Sequence, residues 1–466
     1  MEKKNAQELF DSLSYKKKNV YESSTTEEIK AIYDYAAGYM QYLDDSKTER
    51  EATYASIAMI EAKGYTEYKL GDELKPGDKK YFNNIGKSLI AFTIGEEDIE
   101  KNGIRIIASH IDSPRIDLKQ VPLYEDSGMG FMKTHYYGGV KKYQWTAIPL
   151  ALHGVMVKAD GEIVEVKIGE DDTDPVFYIN DLLPHLAQRQ SQEPLGTAIA
   201  GETLNILVGG LPYDCDDVSD KIKLTVLSIL HDKYGVTEED FLSAELSLVP
   251  AFKARDIGFD RALIGAYGHD DRVCSYPALT ALLDPPDTKH TVMVVLADKE
   301  EIGSVGITGM QSDVLVDIIA SISSALAANE IVVRSNSMCL SADVNAAYDP
   351  NFADVYEKRN SAMLSCGTCL SKYTGSRGKS GTSDASAEFV GFVRRLFAEN
   401  NVIWQAAELG KVDAGGGGTV AMYIANHNIE TVDLGVPVIS MHAPYETVSK
   451  LDVYMTYRAC YEFFNN

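Results

Sequence analysis

The hydrophobic and polar positions along the chain follow two periods, one typical of helices and one typical of buried strands. Apolar residues recur at helical spacing over residues 27–43, and the mostly apolar residues 103–108 predict a buried strand. After residue 255 the pattern predicts a strand at 291–297, a helix at 312–328, a strand at 338–342, a helix at 386–399 and a closing strand at 436–441. Alternating helices and fully apolar strands predict an α/β fold with a mainly parallel sheet that is covered on both faces.

In the middle of the chain the sequence pattern changes from alternating helices and strands to β-strands separated by turns. Residues 150–158 and 163–168 have the pattern of β-strands, they are separated by turn-rich sequence, and a short helix is predicted at 182–190. The segment contains none of the clusters of histidine and carboxylate that lie on both sides of it, so we interpret it as an inserted β-rich domain. The predicted domains are an inserted one at 121–254 and a surrounding one made of 1–120 and 255–466.

Composition and charge narrow the class of protein. A chain of 466 residues is too long for one ordinary core, which agrees with two domains. Its net charge of −25 argues against nucleic-acid binding, because a phosphate backbone would be repelled over most of the surface. Every apolar run is far shorter than the roughly 20 residues that a helix needs to cross a bilayer. The polar start lacks the apolar core of a signal peptide, so we expect a soluble, cytoplasmic protein without a membrane partner.

The cysteines do not form the pattern of a disulfide framework, since six of them are spread over the whole chain. Cys366 and Cys369 make a lone CxxC motif, and no second pair exists to complete a zinc ribbon. Two reduced thiols are therefore favoured there over zinc or redox chemistry.

Five short segments each end a small or apolar run in carboxylates or histidine. Three of them directly follow a predicted strand, and an open α/β sheet binds its ligands at the carboxyl ends of its strands. The candidate residues in the five segments are His110, Asp112, Asp270, Asp271, Glu300, Glu301, Asp343 and His442.

These residue types suit a two-metal hydrolase. Zinc-like ions bind imidazole nitrogen and carboxylate oxygen, and two ions about 3.5–4 Å apart need a carboxylate that bridges them. A hydrolase also needs an uncoordinated carboxylate to take the proton of the attacking water, and the adjacent Glu300 and Glu301 can divide those tasks. Each motif alone is more often a surface histidine, a solvated loop or a helix cap. Together they predict one metal centre.

The ordered motifs resemble those of the aspartyl aminopeptidase family of di-zinc metallopeptidases. Residues 109–114, Ser-His-Ile-Asp-Ser-Pro, and residues 267–274, Tyr-Gly-His-Asp-Asp-Arg-Val-Cys, are specific to that family, and the resemblance covers essentially the whole chain. It implies a metallopeptidase catalytic domain that carries an inserted dimerisation domain. It also implies two divalent metal ions, which we expect to be zinc, although cobalt or manganese would suit the same ligands.

The resemblance implies a role for each candidate. Asp270 would bridge the two metals, whereas the residues alone do not choose between it and Asp271. The catalytic residues would be Glu300 as the general base and Asp112 as the residue that orients His110. The remaining ligands would be His110 and Asp343 for one ion, and Glu301 and His442 for the other.

Further residues have implied roles beside ordinary structural alternatives. In the family, a histidine in a Pro-His-Leu setting like that of His185 reaches a neighbouring subunit and helps to stabilise the oxyanion; otherwise it packs on a short helix. Lys372 and Arg377 lie in a basic stretch that is either a solvated loop or the pocket for an acidic N-terminal side chain, which the family prefers. Gly417 belongs to a glycine run that lacks the Lys-Ser/Thr of a phosphate loop and suits close approach to substrate.

The sequence therefore predicts an aminopeptidase that acts on short peptides with a free N-terminus. The family forms closed dodecamers, so we expect self-association into a homododecamer built from dimers. The alternatives are a two-metal deacylase that cleaves another amide, and a non-catalytic assembly or cargo protein of the same fold. The complete ligand set and Glu300 favour an enzyme, because a scaffold does not need them.

Overall fold

The computed structural model describes residues 6–284 and 289–466. Its helices are α1 Ala6–Leu13, α2 Thr26–Asp45, α3 Glu49–Glu61, α4 Ile99–Asn102, α5 Leu195–Ala198, α6 Lys221–Tyr234, α7 His269–Leu283, α8 Val314–Ala325, α9 Glu330–Asn336, α10 Ala387–Glu399, α11 Ala421–Ala425 and α12 Lys450–Asn465. The first part of the chain contains strands β1 Thr66–Glu67, β2 Lys79–Asn84, β3 Ser88–Thr93, β4 Ile104–His110, β5 Arg115–Asp126, β6 Met129–Tyr137, β7 Leu150–Val157, β8 Ile163–Ile168, β9 Tyr178–Ile179, β10 Ile206–Gly209 and β11 Glu245–Pro250. The second part contains strands β12 Arg255–Ile257, β13 Leu263–Ala266, β14 Thr291–Ala297, β15 Met338–Ala342, β16 Asn345–Ala346, β17 Thr368–Ser371, β18 Trp404–Ala406, β19 Glu430–Gly435, β20 Pro437–Ile439 and β21 Glu446–Ser449.

A nine-stranded sheet forms the centre of the molecule, in the order β1-β2-β3-β14-β4-β15-β19-β17-β18. Its four middle strands, β14, β4, β15 and β19, are parallel to one another. Alternate side chains of β4 serve opposite faces: Ile106 shares a buried cluster with Ile318 of α8, and Ile107 shares another with Leu279 of α7. Because both faces are covered by helices, the middle strands are mostly apolar, and the predicted α/β class is confirmed.

The register of the middle strands brings their carboxyl ends to one edge. Ala297 of β14 is paired with His110 of β4, and Ala108 of β4 is paired with Ser341 of β15. Residues that follow these three strands therefore lie side by side, as expected for a ligand site in a parallel sheet.

A seven-stranded sheet, ordered β8-β7-β11-β5-β6-β10-β9, contains the strands from Arg115 to Pro250. The strands predicted at 150–158 and 163–168 are confirmed as β7 and β8. The short helix predicted at 182–190 is present only as 3-10 turns at Pro184–Leu186 and Gln190–Gln192, which bury no side chain. The sheet begins six residues before the boundary predicted at 121, and the domain limits stay a prediction.

A third sheet has five strands in the order β12-β13-β21-β20-β16. The closing strand predicted at 436–441 is present only as the three residues of β20, and it pairs in this sheet, not in the central one. Strand β21 and helix α12 follow it. The pattern missed this because a short apolar run does not show in which sheet a strand pairs, and β20 follows β19 after Val436 alone.

No described helix is by itself long and apolar enough to cross a membrane. Helices α8 and α9 satisfy that criterion only as a pair, and they are bent by 116° at the break between them.

A buried ionic cluster joins helices α2 and α3 to the seven-stranded sheet. The imidazole of His153, in β7, has Nδ1 at 2.9 Å from Oε1 of Glu51 and Nε2 at 3.0 Å from Oε1 of Glu170. Lys47 approaches Glu170 at 2.7 Å, and Lys167 approaches Glu51 at 3.0 Å. Glu51 also accepts the backbone N–H of Thr48, so the same carboxylate closes the first turn of α3.

We predict that this cluster makes stability depend on pH through His153. Burial disfavours the imidazolium, but hydrogen bonds to Glu170 and Glu51 outweigh burial and raise the pKa of His153 above its ordinary value. The stabilisation is then fully present below the unfolded pKa of about 6.5 and is lost as pH rises through the raised folded pKa. His153→Gln should therefore lower the melting temperature more at about pH 6 than at about pH 9, because breaking a buried ion pair costs about 3–5 kcal/mol.

The matched control is His135→Gln, since His135 is an exposed histidine of the same sheet. It should change the melting temperature little at either pH. Equal destabilisation by His153→Gln at both pH values would contradict a charged His153 in the folded protein.

Candidate metal centre

His110 is the last residue of β4, and its side chain is almost fully buried. Its Nδ1 donates to the backbone oxygen of Asp112 at 3.0 Å and lies 3.3 Å from the carboxylate of the same residue. A proton on Nδ1 leaves the lone pair on Nε2, which is the tautomer that a metal-binding histidine needs. Nε2 is 3.2 Å from Oδ1 of Asp270 and 3.8 Å from Oδ1 of Asp343, the residue that follows β15.

Asp112 connects this histidine to the turn that follows β14. Its Oδ1 accepts the backbone N–H of Glu300 at 3.1 Å, and its Oδ2 accepts the backbone N–H of Glu301 at 3.2 Å. The hydroxyl of Tyr137 donates to Oδ2 at 2.8 Å. The carboxylate of Asp112 thus fixes both the histidine and the two adjacent glutamates.

Asp270 lies between the two histidines at the start of α7. Its Oδ1 faces Nε2 of His110 and its Oδ2 faces Nε2 of His442, each at 3.2 Å. Asp271 follows across a cis peptide bond and accepts the backbone N–H of His110 at 3.3 Å. Of the two aspartates, only Asp270 presents one oxygen to each histidine.

The potential ligands form two groups that share Asp270. In each group the ligand atoms all lie within 4.8 Å of one another, and the groups are His110, Asp270 and Asp343, and Asp270, Glu301 and His442. Oε2 of Glu301 is 3.5 Å from Nε2 of His442. Glu300 belongs to neither group, although its Oε2 is 4.0 Å from Nε2 of His110. The structure therefore brings together all six residues of the predicted centre, and their roles stay predictions.

Sequence reasoning missed the residues that hold the second group. The buried carboxylate of Glu446 accepts the backbone N–H of His442 at 2.6 Å and that of Asp270 at 3.1 Å. Nδ1 of His442 donates to the backbone oxygen of Gly139 at 2.9 Å. A Cβ on Gly139 would lie 3.0 Å from this ring, and one on Gly138 would lie 3.3 Å from the Glu301 side chain. The paired glycines were a signal in the sequence, since they permit close approach, whereas Glu446 has no local motif.

Charge repulsion and burial shape the titration of the site. Burial, together with the charges of Asp343 and Asp270, raises the pKa of Glu300 to about 8. Burial and the charge of Asp270 raise the pKa of Glu301 well above its usual value. Burial opposes ionisation of Asp270, but hydrogen bonds to the two histidines outweigh it and lower the pKa of this carboxyl. Burial likewise opposes the charging of His442, but its contacts with Asp270 and Glu301 raise its pKa to about 10.

The residues present fit divalent metal ions. Imidazole nitrogen and carboxylate oxygen are the donors that zinc takes in catalytic sites. Within residues 6–284 and 289–466, Oε1 of Glu301 is buried without a hydrogen-bond partner, as expected of an atom that serves a metal. Several buried carboxylates beside only two histidines also leave negative charge that cations would compensate.

The residues expected to bind substrate have contacts of their own, separate from those of the candidate metal centre. Lys372 pairs with Asp384 at 2.9 Å, and the loop that carries Arg377 is joined to the glycine run by a hydrogen bond from Gly375 to Gly417 at 2.5 Å. No hydrogen bond or ion pair among the described residues connects this loop to the two groups of potential metal ligands.

His185 and the CxxC cysteines have different surroundings. The side chain of His185 is exposed on the turn Pro184–Leu186 in the seven-stranded sheet region. Cys366 and Cys369 are free and buried thiols, and burial raises the pKa of Cys366 to about 11. Among the described residues, the two ligand groups contain neither His185 nor either cysteine.

Comparisons with known proteins agree with the fold and the site. The family model described as aminopeptidase I zinc metalloprotease (M18) matches residues 42–464. A probable M18 family aminopeptidase 1 from Clostridium acetobutylicum is 47% identical over 457 residues, which is 96% of this chain and 98% of the relative. The crystal structure of an M18 family aminopeptidase from Thermotoga maritima superposes with a TM-score of 0.92 at 40% identity, covering 97% of this chain and 100% of that one.

A more distant structure, the yeast mApe1 dodecamer, has a TM-score of 0.76 at 24% identity and covers 92% of this chain and 96% of that one. At that identity the likeness shows the fold alone. The family predicted from the sequence motifs is confirmed by the match over nearly the whole chain. This chain belongs to the M18 family of zinc metalloproteases and is a metallo-aminopeptidase.

Proposed function

We propose that the chain uses two metal ions to remove N-terminal residues from short peptides. The observation that supports this is the pair of ligand groups that share Asp270, whose two carboxylate oxygens each face a different histidine. A shared carboxylate is the feature that a two-metal centre requires. The remaining ligands of the proposed centre are His110 and Asp343 on one side, and Glu301 and His442 on the other.

When bound, two divalent ions lower the pKa of a water molecule and polarise the peptide carbonyl; zinc is proposed, with cobalt or manganese as alternatives. Glu300 accepts the proton of the attacking water and later gives a proton to the leaving nitrogen. The Glu300 carboxylate is available for proton transfer because it belongs to neither ligand group. It is nevertheless close to the centre, with Oε2 at 4.0 Å from Nε2 of His110. Asp112 holds the Glu300 backbone in place through its hydrogen bond to the N–H group.

An acidic N-terminal side chain is the proposed substrate preference, and Arg377 is the best candidate to bind it. Lys372 and Lys379 both pair with Asp384, which offsets their charge. Arg377 has no ion pair among the described residues and lines a small cavity with Glu408. A free guanidinium suits a carboxylate because it can donate two parallel hydrogen bonds. Gly417, tied to the same loop, would let the substrate backbone come close.

We also propose that activity requires assembly into a cytoplasmic homododecamer built from dimers, with residues 121–254 as the dimer contact. Leu182, Leu183 and Leu186 are exposed around His185, which is typical of a surface covered by another chain. In such an assembly His185 would reach the active site of a neighbouring subunit and stabilise the oxyanion. The dodecamer of the yeast protein supports this arrangement by analogy.

The function is tested by hydrolysis of Asp-, Glu-, Leu- and Lys-amides, free and N-acetylated, with zinc, cobalt or manganese supplied. We expect cleavage of the free amides and no cleavage of the acetylated ones. The kcat/KM for Asp and Glu amides should exceed that for Leu by at least about tenfold, since a hydrogen bond to a charged group contributes about 1.5–3 kcal/mol.

Two variants separate the pocket from the rest of the site. Arg377→Met should remove most of the acidic preference while kcat/KM for Leu-amide stays near the wild-type value. Lys358→Met is the matched control, because Lys358 is an exposed cation that has no ion pair among the described residues and does not line the cavity that contains Arg377. Preferential cleavage of acetylated amides would show a deacylase instead, and no cleavage with full metal content would favour a non-catalytic protein.

Glu300→Gln should keep most of the bound metal and lose at least about 10²-fold in kcat, as expected for the loss of a general base. Metal content is measured by mass spectrometry on the same samples that are assayed. Glu73→Gln serves as the control, because Glu73 is an exposed carboxylate remote from the ligand groups in the fold. Near-normal turnover in Glu300→Gln would rule out the proposed role.

His185→Ala should lower kcat by about 10²-fold without changing the mass of the assembly, as the loss of an oxyanion donor does elsewhere. The mass is measured by light scattering after gel filtration. His231→Ala, which removes another exposed histidine of the same region, should leave kcat unchanged. A fully active monomer would contradict both the assembly requirement and the role of His185.

A further inference from the structure

Tyr137 connects the seven-stranded sheet to the candidate metal centre. It is the last residue of β6, where it pairs in register with Arg115 of β5. Its hydroxyl donates to Oδ2 of Asp112 at 2.8 Å. Asp112 lies outside this sheet, on the loop after β4, so the hydrogen bond joins the sheet directly to the residue that contacts His110.

The carboxylate of Asp112 makes three contacts in the metal centre, and the hydrogen bond from Tyr137 affects all of them. It is fully buried, and it accepts the backbone N–H groups of Glu300 and Glu301 on different oxygens. Its Oδ1 is also 3.3 Å from Nδ1 of His110. All three contacts depend on one orientation of the carboxylate plane. The Tyr137 hydroxyl is a side-chain donor to Oδ2, the oxygen that also accepts the Glu301 N–H.

The ring of Tyr137 is itself held. The guanidinium of Arg115 lies over it at 3.9 Å from the ring centre, a cation–π contact. Arg115 in turn is 3.2 Å from Glu49 at the start of α3 and 2.8 Å from Asp117 in its own strand. Through these contacts, β5 and α3 fix the position of the Tyr137 hydroxyl.

We propose that Tyr137 is a positioning residue of the metal centre: it locks the Asp112 carboxylate in the orientation that holds His110 and the turn carrying Glu300 and Glu301. The seven-stranded sheet thereby contributes to the centre through a residue that belongs to neither ligand group. This inference rests on the proposed function, in which Glu300 is the general base and Glu301 is a metal ligand.

Loss of the hydroxyl has a defined consequence. In Tyr137→Phe, Oδ2 of Asp112 keeps only the Glu301 N–H as a donor. The carboxylate can then turn to recover hydrogen bonding, and any turn weakens its bonds to the Glu300 and Glu301 backbone. Removing partners of this kind around metal ligands typically costs about 10–100-fold in metal affinity or activity.

The experiment compares wild type, Tyr137→Phe and Tyr136→Phe. Tyr136 is the preceding residue of β6, and it has an exposed ring, so its variant removes one hydroxyl from the same strand without reaching Asp112. Zinc affinity is measured by competition with a chelator, and kcat, KM and the melting temperature are measured on the metal-loaded proteins.

For Tyr137→Phe we expect zinc affinity or kcat to fall about 10–100-fold, with KM changed by less than about threefold because the proposed role of Tyr137 is to position Asp112. Tyr136→Phe should match the wild type. Wild-type zinc affinity and kcat in Tyr137→Phe would overturn the proposal, as would a loss equal to that of Tyr136→Phe. The chelator competition needs no peptide substrate, so it still decides the role of Tyr137 if the proposed hydrolysis fails.

Discussion

The structure depends on holding several carboxylates together in a buried place. Asp270, Glu301 and Asp343 lie within hydrogen-bonding or near-contact distance of two histidines, and burial raises the pKa of both Glu301 and Asp343. Buried charge of one sign is costly unless protons or cations compensate it. In a zinc metalloprotease, the metal cations that the carboxylates and histidines bind compensate this buried negative charge. The surrounding fold therefore has to be rigid enough to keep these side chains together against their mutual repulsion.

Two sheets supply that rigidity. The central sheet presents His110 and Asp343 at the ends of adjacent parallel strands, with Glu300 and Glu301 in the turn after β14. The five-stranded sheet supplies the other half, because Asp270 follows β13 and His442 follows β20. Glu446, on β21, accepts the backbone N–H groups of both residues and so fixes the positions of Asp270 and His442 relative to each other.

The seven-stranded sheet is attached through ionic contacts as well as through the chain. His153 binds one carboxylate of α3 and one of its own sheet, and Arg115 binds Glu49 at the start of α3. Tyr137 reaches further, to Asp112 beside the metal-type residues. Buried polar contacts of this kind have little tolerance for displacement, because an unpaired partner is left without water. The seven-stranded sheet is thereby oriented relative to the candidate metal centre.

The sequence by itself determined the fold class, the family, the strands predicted at 103–108, 291–297 and 338–342, and the six residues that gather at the centre. It could do so because apolar periodicity and strand-end motifs are local. Only the tertiary structure showed that Asp270 and His442 come from a separate sheet, that Glu446 and Tyr137 hold the site, and that residues 182–190 make no α-helix. Those features depend on contacts between residues far apart in the chain, and such contacts leave no pattern in any one segment.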